Sequence, residues 1–377
     1  MTRDAGWAGR LPDYPWDLLR PARTRAAAHP DGLVDLSVGT PVDPTPEVVR
    51  AVLEGAADAP GYPPTAGTPA FRAAAAGWLR RAHGVTGLDP DAVLPTVGSK
   101  ELVALLPLLL RLGPGDRVLL PELAYPTYEV GIRLAGAEPV RSDGLVGAGP
   151  APVRLVWLNS PANPTGRVLP ATHLRKVVDW ARERGAVVVS DECYLDFGWE
   201  AEPVSVLHPS VCGVEVTGLL AVHSLSKRSN LAGYRAGFVA GDPALVAGLL
   251  EVRKHVGLIV PAPVQAAATA AYGDDRHVTG QRGRYAARRA VLRPALEAAG
   301  FALEHSEAGL YLWVTAGEDC WASVDRLAAL GILVAPGSFY GPAGGRHVRV
   351  ALTATDERVA AAAARLASCA RSARPRS

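Results

Sequence analysis

His223-Ser-Leu-Ser-Lys-Arg-Ser-Asn-Leu-Ala-Gly-Tyr-Arg235 decides how this chain folds. It continues an apolar run, Leu219 to His223, with the composition of a strand buried on both faces. Ser224, Ser226, Lys227 and Arg235 then follow where that strand should end. In an open α/β sheet, ligands bind at the carboxyl ends of strands. A lysine condenses with a carbonyl only when its amine is partly neutral, which requires desolvation or a neighbouring cation. The end of a buried strand can supply the desolvation at Lys227.

Similar runs flank this one. Arg117 to Leu120, Leu155 to Leu158, Val187 to Ser190 and Ala236 to Ala240 are short and mostly apolar. Ser99 to Leu112 and Leu174 to Arg184 repeat apolar residues at helical spacing, the second closing at Gly185, a good left-handed cap. The alternation predicts an α/β fold, a parallel or mixed sheet covered by helices, in a large domain over 42–264. The last hundred residues read differently. Long helices at Val278 to Ala299 and Asp356 to Ala370 enclose short strands at Leu310 to Val314, Ile332 to Ala335 and His347 to Leu352. They predict a smaller α+β domain over 265–377. Residues 1–41, broken by Pro12, Pro15, Pro21 and Pro30, are expected to join it, and the tail from Arg371 to fray.

Three further stretches lie at predicted strand or helix ends. Val187-Val-Val-Ser-Asp-Glu-Cys-Tyr194 puts Asp191 at the end of an apolar strand. Asn159-Ser-Pro-Ala-Asn-Pro-Thr-Gly166 holds Asn163 in a turn stiffened by two prolines. Thr96-Val-Gly-Ser-Lys-Glu101 runs into a helix whose free N–H groups and hydroxyl suit a phosphate. Gly144-Leu-Val-Gly-Ala-Gly149 is a decoy, because Pro150 and Pro152 stand where a dinucleotide motif needs a helix. Together the stretches ask for a ligand with a phosphate, a polar ring and a carbonyl.

Composition narrows the partners. The 377 residues carry 39 Lys+Arg against 37 Asp+Glu, so no whole-molecule field draws in nucleic acid or an anionic membrane. Cys193, Cys212, Cys320 and Cys369 form no C-x-x-C pair, and no His/Cys cluster suggests a metal near Asp191. Met1 to Trp16 has no apolar leader, and the run Leu102 to Leu110 is too short to span a bilayer. A cytoplasmic setting is expected.

The motifs SLSK-x7-R, NPTG and D-x-x-Y, in the order helix anion site, NPTG, D-x-x-Y, lysine, resemble the class I/II aminotransferases among the fold type I pyridoxal-phosphate enzymes. The resemblance covers nearly the whole chain and implies a three-layer α/β/α large domain. It makes Lys227 the lysine that condenses with pyridoxal 5′-phosphate and shuttles the substrate proton. Asp191 becomes the partner of the pyridine nitrogen, and Tyr194 and Asn163 the partners of its phenolic oxygen. Gly98, Ser99, the Lys100 backbone, Ser224 and Arg235 match the phosphate cup, and Tyr125 the aromatic that stacks on the ring. Arg349 matches the residue that grips the substrate α-carboxylate, with Arg346 the competing choice, and Gly39 approaches the same carboxylate. Tyr62 resembles a tyrosine that reaches the neighbouring subunit's phosphate, implying a homodimer with shared sites.

Within the family, Leu94 to Glu101, Glu122 to Glu129 and Leu11 to Asp17 look like succinyldiaminopimelate transaminases of actinobacteria. The substrates expected are amino and keto acids, with glutamate as donor and N-succinyl-2-amino-6-ketopimelate as acceptor. No residue is assigned to the succinyl carboxylate. Alternatives are an aspartate or aromatic aminotransferase, a carbon–sulfur lyase or a decarboxylase, the last opposed by an α-carboxylate held at Arg349. A transcription factor on this fold needs a DNA-binding module, which Met1 to Pro46 is too short and proline-rich to hold.

Overall fold

The computed structural model describes residues 11–372, and side chains up to 368. Of the frayed end expected from Arg371, the first two residues still belong to helix Asp356–Ser372, while 373–377, residues 1–10 and the side chain of Cys369 fall outside the described residues. Strand β1 (Val34–Asp35) belongs to a small pairing described below. The seven strands after it make one sheet: β2 (Val93–Val97), β3 (Arg117–Leu120), β4 (Glu138–Arg141), β5 (Val153–Asn159), β6 (Val187–Asp191), β7 (Leu219–Ser224) and β8 (Ala236–Gly241). Their spatial order is β2-β8-β7-β6-β5-β3-β4. Neighbours from β7 to β4 are parallel. β8 alone runs against its neighbours β7 and β2.

Alternation along β5 explains the two helix layers. Val156 and Leu158 point into one core, shared with helices Pro69–His83, Ala171–Glu183 and Ala262–Gly273. Leu155 and Trp157 point into the other, shared with helices Gly98–Leu109, Thr127–Leu134 and Pro243–Val256. A strand buried on both faces must be apolar at nearly every position, as the middles of β5, β6 and β7 are. In helix Ala171–Glu183 the buried positions Leu174, Val177, Val178 and Ala181 make the expected stripe. Gly185 ends it with φ 61°.

The remaining strands are β9 (Ala302–Glu304), β10 (Tyr311–Thr315), β11 (Ile332–Leu333), β12 (Ala335–Pro336) and β13 (Val348–Ala351). Four form an antiparallel sheet in the order β12-β13-β10-β9, while β11 pairs in parallel with β1. The run expected as one strand, Ile332 to Ala335, is thus two short strands in two sheets. A third core gathers Leu19, Ala22, Ala26, Val34 and Leu36 with Tyr285, Leu292, Val324, Val350 and Leu366. The two ends of the chain therefore pack together, and the proline-broken segment finds its partner there. Among the described residues no helix is long and apolar enough to cross a membrane.

Candidate active site

Strand register builds the site. Asn159 pairs with Asp191, Asp191 with Val222, Ser224 with Gly237, and Val97 with Ala236. Five strand ends thus stand in one row at a single sheet edge. Because β8 runs backwards, it starts at the edge where β7 stops. The excursion between them, the short helix Leu225–Arg228 and the turn to Arg235, stays at that edge. This topology gathers Ser224, Lys227 and Arg235.

A cleft of about 670 Å³ opens over the row. Its lining includes Gly39, Ser99, Lys100, Tyr125, Asn163, Asp191, Tyr194, Ser224, Lys227, Arg235 and Arg349, so the structure brings together eleven of the residues singled out in the sequence. Gly98 lies just outside, at the first position of helix Gly98–Leu109. Tyr62 does not line the cleft and is fully exposed, at 100%. Arg346 lies away from the cleft and donates to the Gly317 carbonyl.

The cleft floor is acidic and the front is basic. Tyr128 donates its hydroxyl to Asp191 Oδ2 (2.8 Å), and the Cys193 N–H donates to Oδ1 (3.2 Å). Burial pushes the Asp191 carboxyl up from its ordinary value, while those bonds pull it down. Lys227 donates to the Gly39 carbonyl. Burial brings its pKa below that of an ordinary lysine, and Arg349 and Arg235 add to the fall. At the helix start, Lys100 and Arg235 stand close enough for Arg235, together with burial, to lower the Lys100 pKa. Neither cation is paired with a carboxylate among the described residues. Gly98 has φ 69°, and a Cβ there would collide with the Arg235 guanidinium.

Arg349 is 2% exposed. It donates through Nη1 to Asn163 Oδ1 (2.8 Å) and through Nη2 to the Ser37 carbonyl (2.7 Å), while Nε has no partner. Asn163 thus meets Arg349, and its own N–H donates to Asn159 Oδ1 (2.7 Å). The sequence reading missed Tyr311, whose hydroxyl lies 3.0 Å from that of Tyr194. Burial opposes ionisation of Tyr311, but Arg349 and Lys227 outweigh it and lower its pKa. Burial, with Tyr311, raises Tyr194. Tyr14, Trp16 and Arg23, also missed, line the mouth. The alternation Tyr311, Trp313 against Leu310, Leu312, Val314 was the available signal for an aromatic face on β10.

The sequence pattern of the family described as Aminotransferase class I and II matches residues 31–366. The chain belongs to that family. It is 64% identical over 356 residues to the Streptomyces rimosus 4-dedimethylamino-4-oxo-anhydrotetracycline transaminase OxyQ, covering 94% of this chain and 99% of the relative. It is 63% identical over 361 residues to a Mycobacterium tuberculosis protein named "Probable aminotransferase Rv1178", covering 96% and 86%. Among solved structures, a probable N-succinyldiaminopimelate aminotransferase from Thermus thermophilus superimposes with a TM-score of 0.83 at 32% identity, covering 94% and 100%.

Class I and II aminotransferases depend on pyridoxal phosphate, and the residues here fit it. The Arg235 guanidinium stands at the N-terminus of helix Gly98–Leu109, against a glycine whose missing Cβ makes room for it. A dianionic phosphate answers that arrangement. A buried carboxylate and a buried amine line the same cleft, as a ring nitrogen and an aldehyde require.

Proposed function

We propose that this aminotransferase takes nitrogen from glutamate and delivers it to N-succinyl-2-amino-6-ketopimelate, acting as a succinyldiaminopimelate transaminase. The carrying observation is the buried guanidinium of Arg349 inside the cleft, with further cations, Arg23 and Lys100, at its mouth. Arg23 is bonded to Asp35 Oδ2 at 2.5 Å, whereas Lys100 has no acidic partner among the described residues. One guanidinium grips the α-carboxylate shared by donor and acceptor, and the outer cations suit a distal carboxylate.

Bound pyridoxal phosphate supplies an aldehyde that takes up nitrogen and a ring that takes up electrons. The chain does the rest. Ser99, Ser224, Arg235 and the N–H groups at Gly98 to Lys100 hold the phosphate. Tyr125 would hold the ring, Asp191 would keep a proton at its nitrogen, and Tyr194 and Asn163 would serve its phenolic oxygen. Arg349 and Gly39 orient the substrate so that its α-hydrogen faces Lys227. Lys227, desolvated and so able to be neutral, takes that proton and returns it.

The same proposal includes a homodimer, with Tyr62 reaching a second copy's phosphate site, a cytoplasmic setting, and a domain boundary at 42 and 264. The exposure of Tyr62 supports the first. A second reading has a specific support: OxyQ is 64% identical over almost its whole length, which favours a bulky polycyclic ketone as acceptor. The deciding experiment loads the enzyme with nitrogen from glutamate and offers each acceptor in turn. Faster discharge by N-succinyl-2-amino-6-ketopimelate than by 4-dedimethylamino-4-oxo-anhydrotetracycline supports the first reading. The reverse order overturns it.

A further inference from the structure

Glu192 and His223 carry polar atoms that the site leaves unused. Glu192 directly follows Asp191, and His223 directly precedes Ser224. Both side chains lie inside the protein, at 0% and 1% exposure, with Glu192 Oε2 facing His223 Nε2 at 3.4 Å. Neither of those two atoms has a hydrogen-bond partner in this arrangement, and His223 Nδ1 has none either. Glu192 Oε1 accepts from the Val206 N–H (2.7 Å). Around the imidazole stand aromatic rings, Trp78 edge-on at 5.2 Å and Phe238 at 4.8 Å. An ionised carboxylate in such surroundings is far less stable than a neutral acid.

The neighbouring charges offer Glu192 no counter-ion. Behind His223, Asp196 already takes Arg228 Nε (2.8 Å) and His83 Nε2 (3.1 Å), and Tyr272 packs against Trp78 and Arg228. Beside Glu192 stand Ser190 and Ser205, which favour its charge, and Asp191, which opposes it. Among the described residues, His223 is the one basic group in ion-pair range of Glu192.

We propose that Glu192 is an uncharged acid in the working enzyme, that it shares its proton with His223, and that the pair is a positioning device. It ties the end of β6 to the end of β7 and leaves Asp191 as the single negative charge at that edge. The role given to Asp191 rests on the proposed function; the shared proton does not.

The titration agrees in direction. Burial pushes Glu192 up to about 7, and Asp191 adds to the rise. Burial, with His83 and Arg228, pulls His223 down to about 3. The acid is therefore the donor and the imidazole the acceptor. Because the folded pKa of Glu192 exceeds its ordinary value, its stabilising effect is complete below the ordinary carboxylate range and is lost as pH rises through neutrality.

Two measurements test this. In wild-type protein labelled with [13C]glutamate, one side-chain carboxyl should titrate near neutrality, apart from all others. In Glu192→Gln, whose amide stays neutral, the thermal midpoint should lack a decline that wild type shows from about pH 5 to about pH 8. Parallel midpoint curves, or no titrating resonance, overturn the shared proton, and the resonance decides alone if the variant does not fold. For the positioning role, the pH profile of pyridoxal phosphate binding, followed by absorbance, should differ between wild type and Glu192→Gln. Superimposable profiles overturn that role. Glutamate turnover enters none of these, so they stand apart from a failure of the proposed reaction.

Discussion

The guanidinium carbon of Arg349 lies 3.9 Å from the centre of the Tyr311 ring. The cation is therefore held against a π face on one side while two of its nitrogens bond to Asn163 and Ser37. A lysine cannot reproduce this, because it is a point charge without a planar fork. Arg349→Lys should lower kcat/KM for glutamate by about 100-fold or more, roughly 2.7 kcal/mol. Arg346→Lys, away from the cleft, should leave it unchanged. Steady-state kinetics on both variants checks the choice between the two arginines.

Gly98 is required twice, by its left-handed backbone and by the guanidinium above it. Gly98→Ala should cost about 1–2 kcal/mol for the backbone alone, and the methyl group also displaces Arg235. Pyridoxal phosphate affinity should fall at least about tenfold, measured by titrating the apoenzyme and following absorbance. An unchanged affinity would remove Gly98 and Arg235 from the phosphate site.

Lys227 has its pKa lowered by burial, so at neutral pH a larger part of it is the free amine than in an ordinary lysine, which titrates near about 10.4. Reductive alkylation of the apoenzyme near neutrality should label Lys227 ahead of Lys176 and Lys254. The preference should shrink as pH rises. Pyridoxal phosphate should protect Lys227, and peptide mapping reads the result.

Glu101 holds the helix that starts at Gly98. It accepts from Arg253 Nη2 (2.7 Å) and Nη1 (3.2 Å) and from the Val97 N–H (3.0 Å), and the Arg253 side chain is wholly buried. Glu101→Gln leaves that guanidinium buried without its charge partner, a change worth about 3–5 kcal/mol. A lower thermal midpoint is expected, and a midpoint equal to wild type would refute it.

The central strands were legible in the sequence because burial on both faces forces unbroken apolar runs. The two edge strands were not, and for one reason. β2 contains Pro95 and β4 contains Pro139, residues that argue against a strand except at an edge. The cleft was legible where its residues end strands or open helices: Asp191, Asn163, Ser99 and Lys227. Tyr311 escaped because a tyrosine within an apolar strand reads as core until the neighbouring strand, which pairs Arg349 with Trp313, brings that guanidinium diagonally against the Tyr311 ring. Tyr14, Trp16 and Arg23 escaped because their segment has no periodicity. Only the packing of the third core carries it to the cleft.

That core gives the polypeptide a timetable. During synthesis a chain folds from its amino end as it leaves the ribosome. The sheet that bears Asp191 and Lys227 is complete once Gly241 has emerged, yet Leu19 to Leu36 must wait for partners between Tyr285 and Leu366. Ser37 likewise waits for Arg349. Once helices Pro243–Val256 and Ala262–Gly273 have closed the two cores of that sheet, the nascent enzyme has the means to receive a cofactor before it has the means to recognise a substrate.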